Sequence, residues 1–172
     1  MNTEILISEE KVQKRIQEIA EEIKKDYQDE EVVFCSVLKG AIFFTVDLMK
    51  KYKGDALIDF IRVSSYEGEN STGKITLKIP LQKEHIEGKN IILVEDIVDT
   101  GRTFNYLVDY VKNLNPKSVK TCVLLDKKAR RVVPFEADYV GFSIDDLFVI
   151  GYGLDYDEKY RNLPYIGYVK KD

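Results

Sequence analysis

The run from Val32 to Leu38, VVFCSVL, is apolar at nearly every position rather than at every second one. A strand of that kind is covered on both faces, a situation found chiefly in parallel sheets sandwiched between helices. IILV at 91–94 reads the same way, and Val119 to Leu125 is a further strand-like run. Between such runs the periodicity changes. From Ser8 to about Tyr27, the residues Val12, Ile16, Ile19, Ala20 and Ile23 recur at helical spacing with Glu, Lys and Gln between them. Ser8 is placed to cap that helix and Glu9 and Glu10 suit the positive end of its dipole, although Lys11 stands where a capping box wants Glu. Gly40 opens a second helical pattern through Lys51, and a third ends near Leu114. Shorter strand-like stretches fall at Leu57–Val63, Ile75–Ile79, Tyr139–Phe142 and Phe148–Ile150, ahead of a tyrosine-rich tail. Apolar strands alternating with helices predict an α/β fold around a mostly parallel sheet.

At 172 residues, 44% hydrophobic and 33% charged, the chain suits one domain spanning 1–172, without repeats or linkers. No apolar run reaches the roughly 18 residues of a membrane span, and Met1-Asn2-Thr3-Glu4 does not begin a signal peptide, so a cytoplasmic location is expected. Cys35 and Cys122 sit in apolar runs and read as buried free thiols. A net charge of -4 and a pI near 5.2 argue against nucleic acid or acidic membranes as partners, so any bound anion must be held locally. His85 is the chain's single histidine, placed in a polar stretch and read as a surface residue. Ser-His-Asp triads, Cys-His pairs and multi-histidine metal sites therefore have little to be built from.

The chemistry-bearing residues gather after IILV. Ligands of open parallel sheets collect at the carboxyl ends of strands, where Glu95 and Asp96 stand as adjacent acids. Asp99, Thr100, Gly101, Arg102 and Thr103 then form a tight turn into a helix, offering backbone N–H groups and two hydroxyls to a phosphate. Two other segments only approximate known sites. GENSTGKI at 68–75 nearly spells a Walker A loop, but Ile75 replaces the magnesium-binding hydroxyl and a strand follows where a helix is required. DYDEK at 155–159 lacks the glycine and spacing of an EF-hand.

ILVEDIVDTGRT resembles the phosphoribosyl pyrophosphate signature of type I phosphoribosyltransferases. VLKGAIFF, SSYEGENSTG, LLDKKAR and FVIGYGLDYDEKYRNL resemble, in order, segments of hypoxanthine-guanine phosphoribosyltransferases, so the resemblance covers roughly residues 5 to 169. It implies the type I fold with a small hood formed by the chain ends, and salvage of hypoxanthine or guanine to IMP or GMP. It also implies Mg²⁺ as cofactor, a homodimer or homotetramer, and the following residue roles. Glu95 and Asp96 hold the ribose hydroxyls directly or through magnesium, and Asp99 to Thr103 cradle the 5-phosphate. Asp99 is the general base toward purine N7, and Lys39, Gly40 and Arg161 lie on the pyrophosphate side. Lys127 donates to the oxygen at purine C6, Phe148 stacks on the base, the backbone of Val149 reads its edge, and Asp155 is a second magnesium-site acid. Ser65 and Tyr66 begin a mobile lid over the electron-deficient sugar. Because an ammonium carries only donors, Lys127 favours a 6-oxopurine over adenine.

From pattern alone, several of these residues also have a plainer reading, and Glu95 and Asp96 could be a solvated strand end. Asp99 could cap the following helix, Phe148 could be core, and Lys127, Lys128, Arg130 and Arg131 could form a solvated face. Lys39 could be an exposed strand end and Arg161 a surface ion-pair partner. Asp126 stands where family members can carry an apolar residue, and could alter the pKa of Lys127; Arg102 fills a variable position. A transcriptional regulator sensing phosphoribosyl pyrophosphate uses the same signature, but the negative charge and the lack of an added DNA-binding segment weigh against it. A phosphoribosyltransferase for xanthine, adenine or a pyrimidine is a third reading, and hypoxanthine, guanine and xanthine are not ranked by sequence.

Overall fold

The computed structural model describes residues 1–65 and 74–170. In chain order its elements are β1 (Thr3–Ile7), α1 (Glu9–Tyr27), β2 (Val32–Val37), α2 (Ile42–Lys51), β3 (Ala56–Ser65) and β4 (Ile75–Ile79). There follow β5 (Asn90–Val98), α3 (Arg102–Lys112), β6 (Ser118–Asp126), β7 (Tyr139–Ser143), β8 (Val149–Ile150) and β9 (Ile166–Val169). Six strands form one sheet in the order β4-β3-β2-β5-β6-β7, parallel throughout except for the antiparallel edge pair β3–β4.

Both faces of the sheet are covered, as the continuous apolar strands require. Val32 and Phe34 of β2, with Ile92 and Val94 of β5, pack against Val12, Ile16 and Ile23 of α1 and Phe44 and Leu48 of α2. Val33, Cys35 and Val37, with Ile91 and Leu93, face the other way onto Phe104, Leu107 and Val111 of α3. Ser8 caps α1, accepting a hydrogen bond from the N–H of Lys11 at 3.2 Å. In α2, the buried Thr45 hydroxyl bonds Ser36 Oγ at 2.8 Å and the Ala41 carbonyl at 2.7 Å, tying the helix to β2. Cys35 and Cys122 are buried free thiols, and burial pushes both well above the usual cysteine pKa. Among the described residues no helix is long and apolar enough to cross a membrane.

Two features extend the reading from sequence. β5 does not stop at Val94 but continues through EDIV to Val98, so the acid pair lies inside the strand. β1 and β9 have no clear strand pattern, yet β9 pairs with both β1 and β8 in a second antiparallel sheet ordered β1-β9-β8. The chain ends thus make the expected hood.

The connectivity creates a site. From β2 the chain crosses through α2 to β3 on one side, while β5, which leads into α3 and β6, pairs with the other edge of β2. The carboxyl ends of β2 and β5 therefore diverge into opposite connections and leave a crevice between them.

Candidate active site

β2 pairs with β5 only as far as Ser36 opposite Val94. Beyond that point β5 keeps its partner on the β6 side and exposes its other edge to the crevice. The N–H of Asp96 donates to Glu95 Oε1 at 3.2 Å and that of Ile97 to Asp96 Oδ1 at 2.7 Å, so the acids satisfy the backbone that β2 no longer covers. Burial, followed by the charge of Asp96, pushes the Glu95 carboxyl well above the usual carboxylate range. Burial also raises Asp96, with opposition from its hydrogen bonds and the nearby Arg161 guanidinium. Two adjacent acids under desolvation and mutual repulsion form a local demand for positive charge.

The turn after β5 places Gly101 at φ 89°, immediately before α3. The N–H of Arg102 donates to Thr100 Oγ1 at 3.3 Å, and the first turn of α3 contains no acid. Among the described residues no protein acceptor takes the N–H groups of Thr100 or Gly101. The helix cap is Gly101, so Asp99 does not have the capping role that pattern alone allowed.

A cavity of about 280 Å³ is lined by Glu95, Asp96, the Asp99–Gly101 turn, Thr103, Gly40 and Arg161. A second, of about 580 Å³, is lined by Lys127, Asp146, Phe148, Val149 and Leu154. The two share Asp96, Ile97, Asp99 and Asp155 as a common wall. One chamber thus offers carboxylates and an anion loop, and the other a flat aromatic and a cation.

In the larger chamber Lys127 is buried, with Nζ 4.0 Å from Asp99 Oδ1 and 3.9 Å from Asp146 Oδ1. Phe148 is 50% exposed, its ring set edge-on to Tyr156 at 5.6 Å, so the core reading of this residue fails. Val149 is buried in the hood. The basic run divides: Lys128 and Arg130 are solvated, whereas Lys127 and Arg131 turn inward. Asp126 is fully buried and accepts from Arg131 Nη2 at 2.6 Å, so its partner is Arg131 rather than Lys127.

Arg161 lines the smaller chamber but Lys39 and Glu158 do not; Lys39 Nζ pairs with Glu158 at 3.1 Å and Arg161 Nη2 approaches the same carboxylate at 3.4 Å. Glu158 is held below the usual carboxylate range by the Lys39 hydrogen bond and then by the Arg161 charge. Arg161 also donates to the Gly153 carbonyl at 2.6 Å and lies 3.6 Å from Asp155. Gly153, at φ 98°, packs on the Gly40 carbonyl so closely that no side chain fits, bringing the 151–161 segment against the Lys39-Gly40 turn.

Among the described residues no group of three or more His, Cys, Asp or Glu side chains is gathered to hold a metal. Glu95 with Asp96 and, separately, Asp155 remain as acids at the chamber wall. That donor set fits a hard cation such as Mg²⁺, which keeps several waters and takes one or two carboxylates together with phosphate oxygens. Arg102, at the start of α3, is exposed. Ser65 ends β3, and Tyr66 with the rest of the expected lid lies outside the described residues.

Residues 2–157 match the family model described as phosphoribosyl transferase domain. A hypoxanthine-guanine phosphoribosyltransferase of Bacillus subtilis is 44% identical over 96% of this chain and 92% of its own length. The chain belongs to the phosphoribosyltransferase family. A crystal structure of a family member, the hypoxanthine-guanine phosphoribosyltransferase of Bacillus anthracis with HEPES in its active site, superposes with a TM-score of 0.90. It is 47% identical over 97% of this chain and 98% of that one. The bifunctional protein TilS/HprT of Listeria innocua is 46% identical over 98% of this chain, which spans about a quarter, 26%, of that longer relative.

Three residues that contact the candidate site were given no site role by sequence. Asp146 flanks Lys127, Glu158 gathers Lys39 and Arg161, and Arg131 reaches the backbone of Asp99. Asp146 has no motif around it, Glu158 lies in the DYDEK run that lacks EF-hand spacing, and Arg131 lies in the basic run. Only their partners, distant in sequence, distinguish them.

Proposed function

We propose that this chain transfers the 5-phosphoribosyl group of phosphoribosyl pyrophosphate to N9 of hypoxanthine or guanine, releasing pyrophosphate. The observation that carries this is the wall of Asp96, Ile97, Asp99 and Asp155 shared by the two chambers. A sugar phosphate held in one chamber then presents its anomeric carbon to a planar base held in the other. Holding both reactants in line accounts for much of such a rate enhancement.

The 5-phosphate sits on the N–H groups of Thr100 and Gly101 and the first turn of α3, with Thr100 and Thr103 hydroxyls beside it. Glu95 and Asp96 face the ribose hydroxyls. Lys39 and Arg161 lie where the pyrophosphate leaves. As the bond from the anomeric carbon to pyrophosphate oxygen breaks, N9 forms the new bond and Asp99 takes the proton from N7. Lys127, fixed between Asp99 and Asp146, donates to the oxygen at C6, and Phe148 offers a face for stacking. Glu95 with Asp96 and, separately, Asp155 would hold Mg²⁺, which would supply positive charge to neutralise anionic oxygens. The resemblance assigns Ser65 and Tyr66 to a water-excluding lid.

We take 1–172 as one phosphoribosyltransferase domain, since β9, beyond the matched residues, pairs with both β1 and β8 of the hood. We further infer a homodimer or homotetramer, which sedimentation checks, and a cytoplasmic location, with which two buried free thiols accord.

The test is nucleotide formation from phosphoribosyl pyrophosphate with hypoxanthine, guanine, xanthine, adenine and uracil, each with Mg²⁺ and with chelator. Magnesium-dependent product with hypoxanthine or guanine and little with adenine is expected. Tight binding of phosphoribosyl pyrophosphate without product from any base would instead identify a sensing protein.

A further inference from the structure

Arg131 carries no role in the chemistry above, yet its guanidinium, 14% exposed, is shared among three acceptors. Nη2 donates to Asp126 Oδ1 at 2.6 Å, Nη1 to the carbonyl of Asp99 at 2.8 Å, and Nε to the carbonyl of Phe135 at 3.2 Å. The next two residues continue the pattern, because the N–H groups of Val132 and Val133 donate to the carbonyl of Thr100 at 3.0 and 3.3 Å. The first two carbonyls of the anion turn, those of Asp99 and Thr100, are therefore held by 131–133.

A trans peptide points the C=O of one residue and the N–H of the next in opposite directions. Tethering the Asp99 carbonyl turns the Thr100 N–H away from Arg131, and tethering the Thr100 carbonyl does the same for the Gly101 N–H. These are the donors assigned to the 5-phosphate. Without the tethers, either plane can rotate and present a carbonyl to the anion. A methyl built on Gly101 would lie 3.1 Å from Arg131 Cδ, so the same side chain backs the turn sterically.

We propose that Arg131 is a positioning residue for the 5-phosphate subsite: anchored on Asp126, it orients the peptide planes of the Asp99–Gly101 turn and fixes the backbone of Asp99. This rests on the 5-phosphate assignment made above. An arginine is required because three acceptors in different directions match a planar fork, whereas an ammonium on a flexible stem reaches one or two.

Removing Arg131 alone also leaves the buried Asp126 without its cation, a general destabilisation that would confuse the result. Two variants separate these effects. Arg131→Lys keeps the positive charge, and the double change Asp126→Asn with Arg131→Gln removes both charges together. Calorimetry measures binding of ribose 5-phosphate, which needs the turn, and of pyrophosphate, which needs Lys39 and Arg161, with thermal unfolding recorded for each protein.

Ribose 5-phosphate should bind about tenfold more weakly or worse to both variants, with pyrophosphate affinity within about threefold of wild type. Wild-type affinity for ribose 5-phosphate in either variant, or an equal loss for both ligands, would overturn the positioning role. The 5-phosphate assignment is checked separately with Gly101→Ala and Thr103→Ala. If neither weakens ribose 5-phosphate binding, that assignment itself is wrong.

Discussion

Replacing Gly40 with Ala should separate function from stability. A methyl built on Gly40 would lie 2.7 Å from Asp96 Cγ and closer still to Oδ2. Ordinary carbon contacts need about 3.5–4.0 Å, so the carboxylate must retreat by roughly 1 Å. Gly40 is not among the glycines with positive φ, so the clash is with the side chain rather than within the backbone. Asp96 can clear the methyl by rotating, at the cost of the bond that the Ile97 N–H makes to Oδ1 at 2.7 Å. That loss and a strained rotamer together amount to about 1–2 kcal/mol. For a chain of this size, the melting temperature then falls by only about 2–8 °C. The displaced group, however, is the one assigned to the ribose hydroxyls, and a misplacement of about 1 Å can cost around 10²-fold in rate. Initial rates with phosphoribosyl pyrophosphate varied at saturating hypoxanthine should show its kcat/KM reduced on that scale. Activity within about threefold of wild type would refute the assignment of Asp96, the packing of Gly40 against it, or both.

Three further outcomes follow from the same geometry. Asp99→Asn should lower single-turnover rate by roughly 10²–10⁴-fold, and helix fraying is no alternative cause, because Gly101 rather than Asp99 caps α3. Lys127→Met should lower kcat/KM for hypoxanthine by about 10- to 100-fold and leave the low adenine value almost unmoved; parallel losses for both bases would remove Lys127 from selectivity. Burial and the Asp96 charge raise Glu95 in the folded state well above 4.5, so the folded protein binds more protons than the unfolded chain between 4.5 and the raised value. Stability contributed by this group therefore falls as pH rises through that window. Metal-free Glu95→Gln should melt above wild type by a margin that grows from acid toward neutral pH, and a margin independent of pH would contradict the raised pKa.

The elements legible in the sequence are those whose pattern is local. α1 shows its buried stripe from Val12 to Ile23 and its Ser8 cap, and β4 occupies the Ile75–Ile79 stretch read from pattern. β1 and β9 were not legible, because short strands with exposed positions acquire their identity from pairing with each other across nearly the whole chain. The apolar run that marks β5 ends at Val94, yet β6 continues to pair with the strand through Val98 opposite Asp126. At the site, Glu95, Asp96 and the Asp99–Thr103 turn were evident from spacing. Phe148, core-like by composition, was shown to be an exposed face only by the position of the hood.

What the sequence determined by itself was the two-sided burial of the central strands, the short segment carrying both acids and the anion turn, and the kind of chemistry those residues resemble. Only the tertiary structure decided how the charges are shared. It put Arg131 on Asp126 and the Asp99 carbonyl, Lys127 between Asp99 and Asp146, and Lys39 with Arg161 on Glu158. A local pattern reports which face of an element is buried, because apolar spacing follows backbone period. Which charge meets which depends on strand order and register, and these arise when elements far apart in the chain pack together.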